Sequence, residues 1–136
     1  MDFGSYIIGL FDGEGALIIR FCKDTRNGRK SYSVGFRIEI TNTNHHIIQL
    51  VKEYFGTGRI DIDKRNNSHI WRVEAKKDIP KIIAFLENKV IIKQRDLQLF
   101  KEAYTKYVTR PKSRVVTKEL IQEIYNIRST MNGGPI

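Results

Sequence analysis

Between Tyr6 and Gly15 the chain runs Tyr-Ile-Ile-Gly-Leu-Phe-Asp-Gly-Glu-Gly, a stretch that is apolar on every helical face and ends in a glycine-flanked carboxylate. A helix over Tyr6 to Phe11 has no polar side to give to water, so it must be covered all round. Gly9 at its middle lets a second helix approach closely. A twofold axis through the helix meets both demands. Gly13 and Gly15 allow a sharp exit through φ > 0 conformations that Glu14 alone would not give. The Glu14 carboxylate then stands beside helix-end carbonyls, at the negative pole of the macrodipole. Carboxylate plus backbone oxygen suits a hard divalent cation such as Mg²⁺.

Composition narrows the partner. At 136 residues and 40% hydrophobic content the chain has room for one core and is not disordered. Its 24 Lys and Arg exceed 15 Asp and Glu, giving +9 and a pI near 9.8, so a polyanion is the natural partner. A membrane is not favoured. The apolar runs fall short of the roughly 20 residues a spanning helix needs, no signal-peptide pattern is present, and the basic residues are dispersed. The expectation is an intracellular protein. Cys22 is the sole cysteine, which excludes an internal disulfide and a multi-Cys zinc site. His45, His46 and His69 show no metal-ligand spacing, and the adjacent pair reads as surface residues of a first helical turn.

Periodicity supplies the rest of the layout. Ala16 to Asp24 alternates, with Leu17, Ile19 and Phe21 on one face and Ile18, Arg20 and Cys22 on the other. Tyr32 to Thr41 alternates with Val34, Phe36, Ile38 and Ile40 inward, and residues 25–30 have turn composition, so the two strands form a hairpin. Its outward face carries Arg20, Ser33, Arg37, Glu39 and Thr41. Thr41-Asn42-Thr43 reads as a strand exit and helix cap, after which Ile47, Ile48, Leu50, Val51 and Phe55 recur at helical spacing up to Gly56. A second hairpin follows, with Ile60, Ile62, Trp71 and Val73 inward and Arg59, Asp61, Asp63, Ile70 and Arg72 outward. Asp78 can cap a helix whose first turn tolerates Pro80. Lys93 to Tyr107 and Thr117 to Met131 give two more helices, joined by a link at Arg110-Pro111-Lys112-Ser113. The pattern is αββαββα plus C-terminal helices, an α+β fold in one domain over 1–136 with its core at about 1–107.

Ile7, Ile8, Gly9, Leu10, Phe11, Asp12, Gly13, Glu14 and Gly15 fall on the nine positions of the LAGLIDADG motif. Gly9, Asp12, Gly13 and Gly15 match outright, and Glu14 takes the acidic position. Together with the layout over roughly residues 1–131, this resembles the single-motif LAGLIDADG homing endonucleases. The motif occurs once, so two copies need two chains. The resemblance implies a homodimer packed through Ile7, Ile8, Gly9, Phe11 and Asp12, with two curved sheets seated over the major groove of double-stranded DNA. A strand of about 9 residues rising about 3.3 Å each spans about 30 Å, or about 9 base pairs, so two subunits cover about 18. On the outward face Arg20, Arg37, Arg59 and Arg72 suit guanine, while Glu39, Asp61 or Asp63 can accept from cytosine and Thr41 shares the same face. Lys23, Arg26, Arg29, Lys30, Lys64 and Arg65, at strand ends and hairpin tips, suit phosphates.

The same resemblance makes Glu14 and the Gly13 carbonyl the metal ligands for phosphodiester hydrolysis, with Mg²⁺ or Mn²⁺ as cofactor and Ca²⁺ able to bind without turnover. It places Lys93 near the active-site water, and Asn42 at the polar position that ends the second strand, with helix capping as that residue's equal alternative. The implied activity is a site-specific double-strand break in a long pseudo-palindromic site, made by an intron-encoded enzyme. Three other readings are weaker. Asp61 or Asp63 with Glu74-Ala75-Lys76 mimics a D…E-x-K nuclease, but such spacings are common in charged hairpins. A maturase binding intron RNA would not depend on Glu14. A DNA-binding protein that does not cut would have no use for that carboxylate.

Overall fold

The computed structural model describes residues 2–24, 31–110 and 116–132. In chain order these form α1 (Phe3–Glu14), β1 (Gly15–Asp24), β2 (Ser31–Asn42), α2 (His45–Phe55), β3 (Arg59–Asp63), β4 (Ser68–Val73), α3 (Ile79–Leu86), α4 (Gln94–Val108) and α5 (Lys118–Thr130). The order is the αββαββα with C-terminal helices that the periodicities give. The strands make an antiparallel sheet in the order β1-β2-β4-β3, so the second hairpin joins the first through β4.

Period-two patterning divides the sheet into two faces. Leu17, Ile19, Val34, Phe36, Ile38, Ile40, Trp71 and Val73 are buried on the inner face. Phe36 meets the rings of Phe100 and Tyr104 edge-on at 5.5 and 5.2 Å, and the Val34 N–H donates to the Tyr107 hydroxyl at 3.2 Å. These contacts pin α4 across β2. Trp71 is sealed beneath Phe55, stacked at 5.0 Å, and its indole N–H donates to the Thr57 carbonyl at 2.9 Å. Gly56 and Gly58 carry the chain from α2 into β3 at φ +69° and +92°. A Cβ on Gly58 would stand 2.5 Å from the indole nitrogen, so that turn requires glycine for both conformation and space.

The helix carrying the motif departs from the sequence reading. Only Gly4, Ile7 and Phe11 are buried, whereas Tyr6, Gly9 and Gly13 are exposed. A single chain thus covers one face of α1 and leaves a stripe at i, i+3 and i+4 spacing open. Ile7 and Phe11 are wholly buried in the chain's own core, so neither faces a partner, a correction to the interface drawn above. The exit needs no left-handed residue either. Gly13 lies within the helix, and Gly15 is extended at φ −82° and ψ 163°. Glycine is needed at 15 because a Cβ there would overlap the Phe11 ring.

Smaller corrections follow from edges and caps. Ile62, placed inward by alternation, is 58% exposed, because β3 is an edge strand and the core ends at half-buried Ile60. Ile70, on the outward face, is buried. Asp78 sits at the start of α3 without a capping bond, since its carboxylate accepts from the Thr57 hydroxyl at 2.7 Å. Asn44 rather than Asn42 caps α2, accepting the Ile47 N–H at 3.1 Å.

Candidate functional site

The β1–β2 ladder decides what surrounds Glu14. Gly15 lies opposite Ile40, which brings Glu14 beside the end of β2, where its Oε2 accepts from Asn42 Nδ2 at 2.9 Å. Asn42 Oδ1 accepts the Asn44 N–H at 2.8 Å, so both ends of the amide are used and its orientation is set. Glu14 and Gly13 are themselves exposed. The result is an oriented carboxylate at the C-terminus of a helix, open to a ligand.

Asp12 points the other way. Its Oδ2 accepts the N–H groups of Ile91 and Ile92 at 3.1 and 3.0 Å, and its Oδ1 that of Lys93 at 2.9 Å. Lys93 Nζ returns a bond to the Asp12 carbonyl at 2.9 Å. Lys93 is the residue before α4 and makes no side-chain cap of its own; Asp12, from another element, instead accepts the three N–H groups of the segment that leads into that helix. The carboxylate assigned to a dimer contact is therefore spent inside the chain, and it anchors Lys93 to the strand–helix junction that carries Glu14. Burial alone would push the Asp12 carboxyl up, but the amides of Ile92, Lys93 and Ile91, with the Lys93 charge, outweigh it and hold it below its ordinary 3.8.

A depressed folded-state value contributes stability above the ordinary carboxyl value, and that stability is lost as pH falls through the folded value. Asp12→Asn, which turns an amide donor toward three N–H groups, should lower the melting temperature at pH 6. The gap to wild type should narrow as pH falls below the ordinary carboxyl value toward the depressed folded-state one. Thermal melts across pH 3–6 check this; a gap constant with pH would show that the Asp12 charge is not what the three amides hold.

The outward face is not the free basic surface the composition suggests. Glu39 lies opposite Arg72, and Arg72 opposite Arg59, in one row across β2, β4 and β3. Arg37 pairs with Glu39 and Glu74 at 3.3 and 3.5 Å, Arg59 with Asp61 and Glu74 at 3.0 and 2.8 Å, and Arg72 with Glu39 and Asp61 at 2.6 and 2.7 Å. Each guanidinium bridges two carboxylates and each carboxylate two guanidinia. The six close a ring of zero net charge. Asp63 pairs with Arg65 at 3.2 Å across the hairpin turn. Asp61, Asp63 and Glu74 are thus each matched to arginine, an arrangement that disfavours the D…E-x-K reading.

The other assigned residues are spread around this ring. Thr41 is half-buried on β2, two residues beyond Glu39. Arg20, Lys23 and Lys64 are exposed and form no ion pair among the described residues. Arg26, Arg29 and Lys30, with link residues 111–113, lie outside the described residues.

Several features carried no sequence signal. Ile91 and Ile92 are 85% and 78% exposed, although their backbones are tied to Asp12. His69 lies opposite Asn42 and its ring sits 4.5 Å from that of His45, the two Nδ1 atoms 3.2 Å apart. Topology alone brings these histidines together.

Comparison with known proteins bears on the fold and the family. The LAGLIDADG endonuclease profile matches residues 7–104. A probable intron-encoded endonuclease of Schizosaccharomyces pombe, Cox1-I1b, is 26% identical over 105 residues, which are 76% of this chain and 27% of that protein. The solved structure of the LAGLIDADG homing endonuclease I-GzeII with its DNA target superposes with a TM-score of 0.80 at 27% identity, covering 98% of this chain and 46% of that one. The archaeal intron-encoded homing endonuclease I-Vdi141I, complexed with DNA, superposes with a TM-score of 0.77 at 23% identity over 97% of this chain and 86% of that one. The chain spans about a quarter of its curated relative and about half of the first of these solved structures. The profile spans most of the chain, and the chain belongs to the LAGLIDADG endonuclease family.

Proposed function

We propose that two copies of this chain form a site-specific endonuclease that cuts both strands of a long, pseudo-palindromic DNA duplex. The observation that carries this reading is the exposed Glu14 carboxylate, held by Asn42 at the C-terminus of α1 and beside the outward face of the sheet. The exposed stripe of Tyr6, Gly9 and Gly13, flanked by Ile91 and Ile92, supports α1 as the surface on which the second copy packs. Such packing would bring two Glu14 carboxylates together. Like charges facing a polyanion are unfavourable without cations.

The residues present fit a hard divalent ion. Mg²⁺ uses few protein ligands and keeps water and substrate phosphate oxygens in its shell, which matches one carboxylate with the Gly13 carbonyl better than it would a closed cage. Mn²⁺ suits the same oxygen donors, and Ca²⁺ is expected to bind there without turnover. When bound, the ion supplies Lewis acidity and an activated water for phosphodiester hydrolysis. Asn42 orients Glu14, and Lys93, held by Asp12, places a cation at the same helix end. Arg20 with the ring arginines meets the bases, and Lys23 and Lys64 meet phosphates.

Incubating the protein with a randomised duplex library in Mg²⁺ tests this, with expected breaks confined to a pseudo-palindromic site of about 18 base pairs. Turnover that persists in EDTA would refute the metal-dependent reading. Binding without cleavage of any sequence would leave a DNA-binding protein on an endonuclease scaffold.

A further inference from the structure

The closed ring of Arg37, Glu39, Arg72, Asp61, Arg59 and Glu74 has no adequate explanation in stability. Exposed ion pairs contribute between nothing and about 1 kcal/mol each, and a half-buried cluster also carries a desolvation cost. Its location is more informative. The ring covers β2, β4 and β3 on the face turned away from the helices, among the arginines best suited to base edges. Its members sum to zero charge, whereas the chain carries +9.

We infer that the ring is a self-masking readout surface, in which Glu74 is the positioning residue that keeps Arg37 and Arg59 from phosphates until a matching base sequence replaces it. The inference rests on the sheet face being the DNA-binding face. Four of its bonds, those of Arg59 and Arg72, measure 2.6–3.0 Å, but both bonds of Arg37 are longer, at 3.3 and 3.5 Å. Arg37 also has a buried Nε with no acceptor, an unmet hydrogen bond inside the ring. The ring is therefore weakest at Arg37, and Glu74 is one of its two partners there.

Glu74 lies just beyond the last residue of β4 and joins the arginine of the edge strand, Arg59, to that of the central strand, Arg37. Without it Arg59 still has Asp61 and Arg37 still has Glu39, so each guanidinium is half released. Random DNA offers phosphates to any free cation, and each phosphate gained steepens the salt dependence of binding by about 0.9 in log–log slope. A masked face denies random DNA these contacts. A target presenting guanine O6 and N7 to a fixed guanidinium offers two acceptors in place of the carboxylate.

The test is binding of a random 30-base-pair duplex by wild type, Glu74→Gln and Glu74→Gln/Arg59→Gln across a series of salt concentrations. Glu74→Gln should bind random duplex severalfold more tightly at low salt, with a slope steeper by about 0.9–1.8 for one or two phosphates gained. The double variant should return toward the wild-type slope. Equal slopes for wild type and Glu74→Gln, with both proteins folded by circular dichroism, would overturn the masking role while leaving the DNA reading intact. A wild type that binds no duplex at any salt would instead refute the DNA reading itself.

Discussion

Glu14→Gln should abolish cleavage of the recognised site while leaving duplex binding within about twofold of wild type. Glutamine keeps the length of the side chain and one oxygen able to accept from Asn42 Nδ2, the bond seen at 2.9 Å, so the helix end and the β2 terminus keep their positions. What is lost is the charge. A neutral amide is a poor ligand for a hard divalent ion, and the only other oxygen donor assigned at this point is the Gly13 carbonyl. Substitutions one shell out from a metal ligand already cost about 10–100-fold, so removing the ligand itself should exceed that range, to the point where no product accumulates. The residue is exposed, and among the described residues its side chain has one hydrogen bond, from Asn42. Melting temperature should therefore be nearly unchanged. Cleavage assays and gel-shift titrations on one duplex separate the outcomes. Cleavage retained within tenfold would remove Glu14 from the chemistry, and binding lost along with cleavage would make it a DNA contact instead.

The strands and helices were legible because each hydrophobic period is local. Leu17 and Ile19, Val34 to Ile40, and Trp71 with Val73 alternate within a few residues of one another, and burial follows that alternation. The position of Glu14 was legible for the same reason, since a helix joined directly to a strand leaves it at the junction. What eluded the sequence depends on separation along the chain. Asp12 meets residues 79–81 positions away, so its carboxylate could as well be turned to a partner until α4 is in place. The outward arginines were identified by parity, which cannot show that strand register sets a carboxylate beside each of them. In α1 an all-apolar sequence gave no hint of which face is covered. Ile7 and Phe11 face the chain's own sheet because they fall one turn apart on the side that β1 and β2 approach, while Gly9 falls opposite.

Gly9→Arg should leave the chain folded and prevent two copies from associating, and the sign of its effect on stability distinguishes a solvent face from an interface. Gly9 is exposed on α1, and a Cβ built there meets no atom within 4 Å. In a lone chain the substitution therefore creates no clash and replaces the poorest non-proline helix former with a good one, a gain of up to about 1 kcal/mol. At a helix–helix contact the same side chain cannot be accommodated, because the close approach glycine permits would be filled by a charged group that must be desolvated. The wild type should thus sediment as a dimer with a melting temperature that rises with protein concentration. The variant should sediment as a monomer whose melting temperature does not depend on concentration. Double-strand cleavage should disappear with the dimer, since each chain has one Glu14 and the α1 stripe that would align two of them is blocked. Sedimentation velocity at several concentrations settles the matter: a variant that remains dimeric, or a wild type that is monomeric and gains stability from the arginine, would show that this face of α1 belongs to solvent.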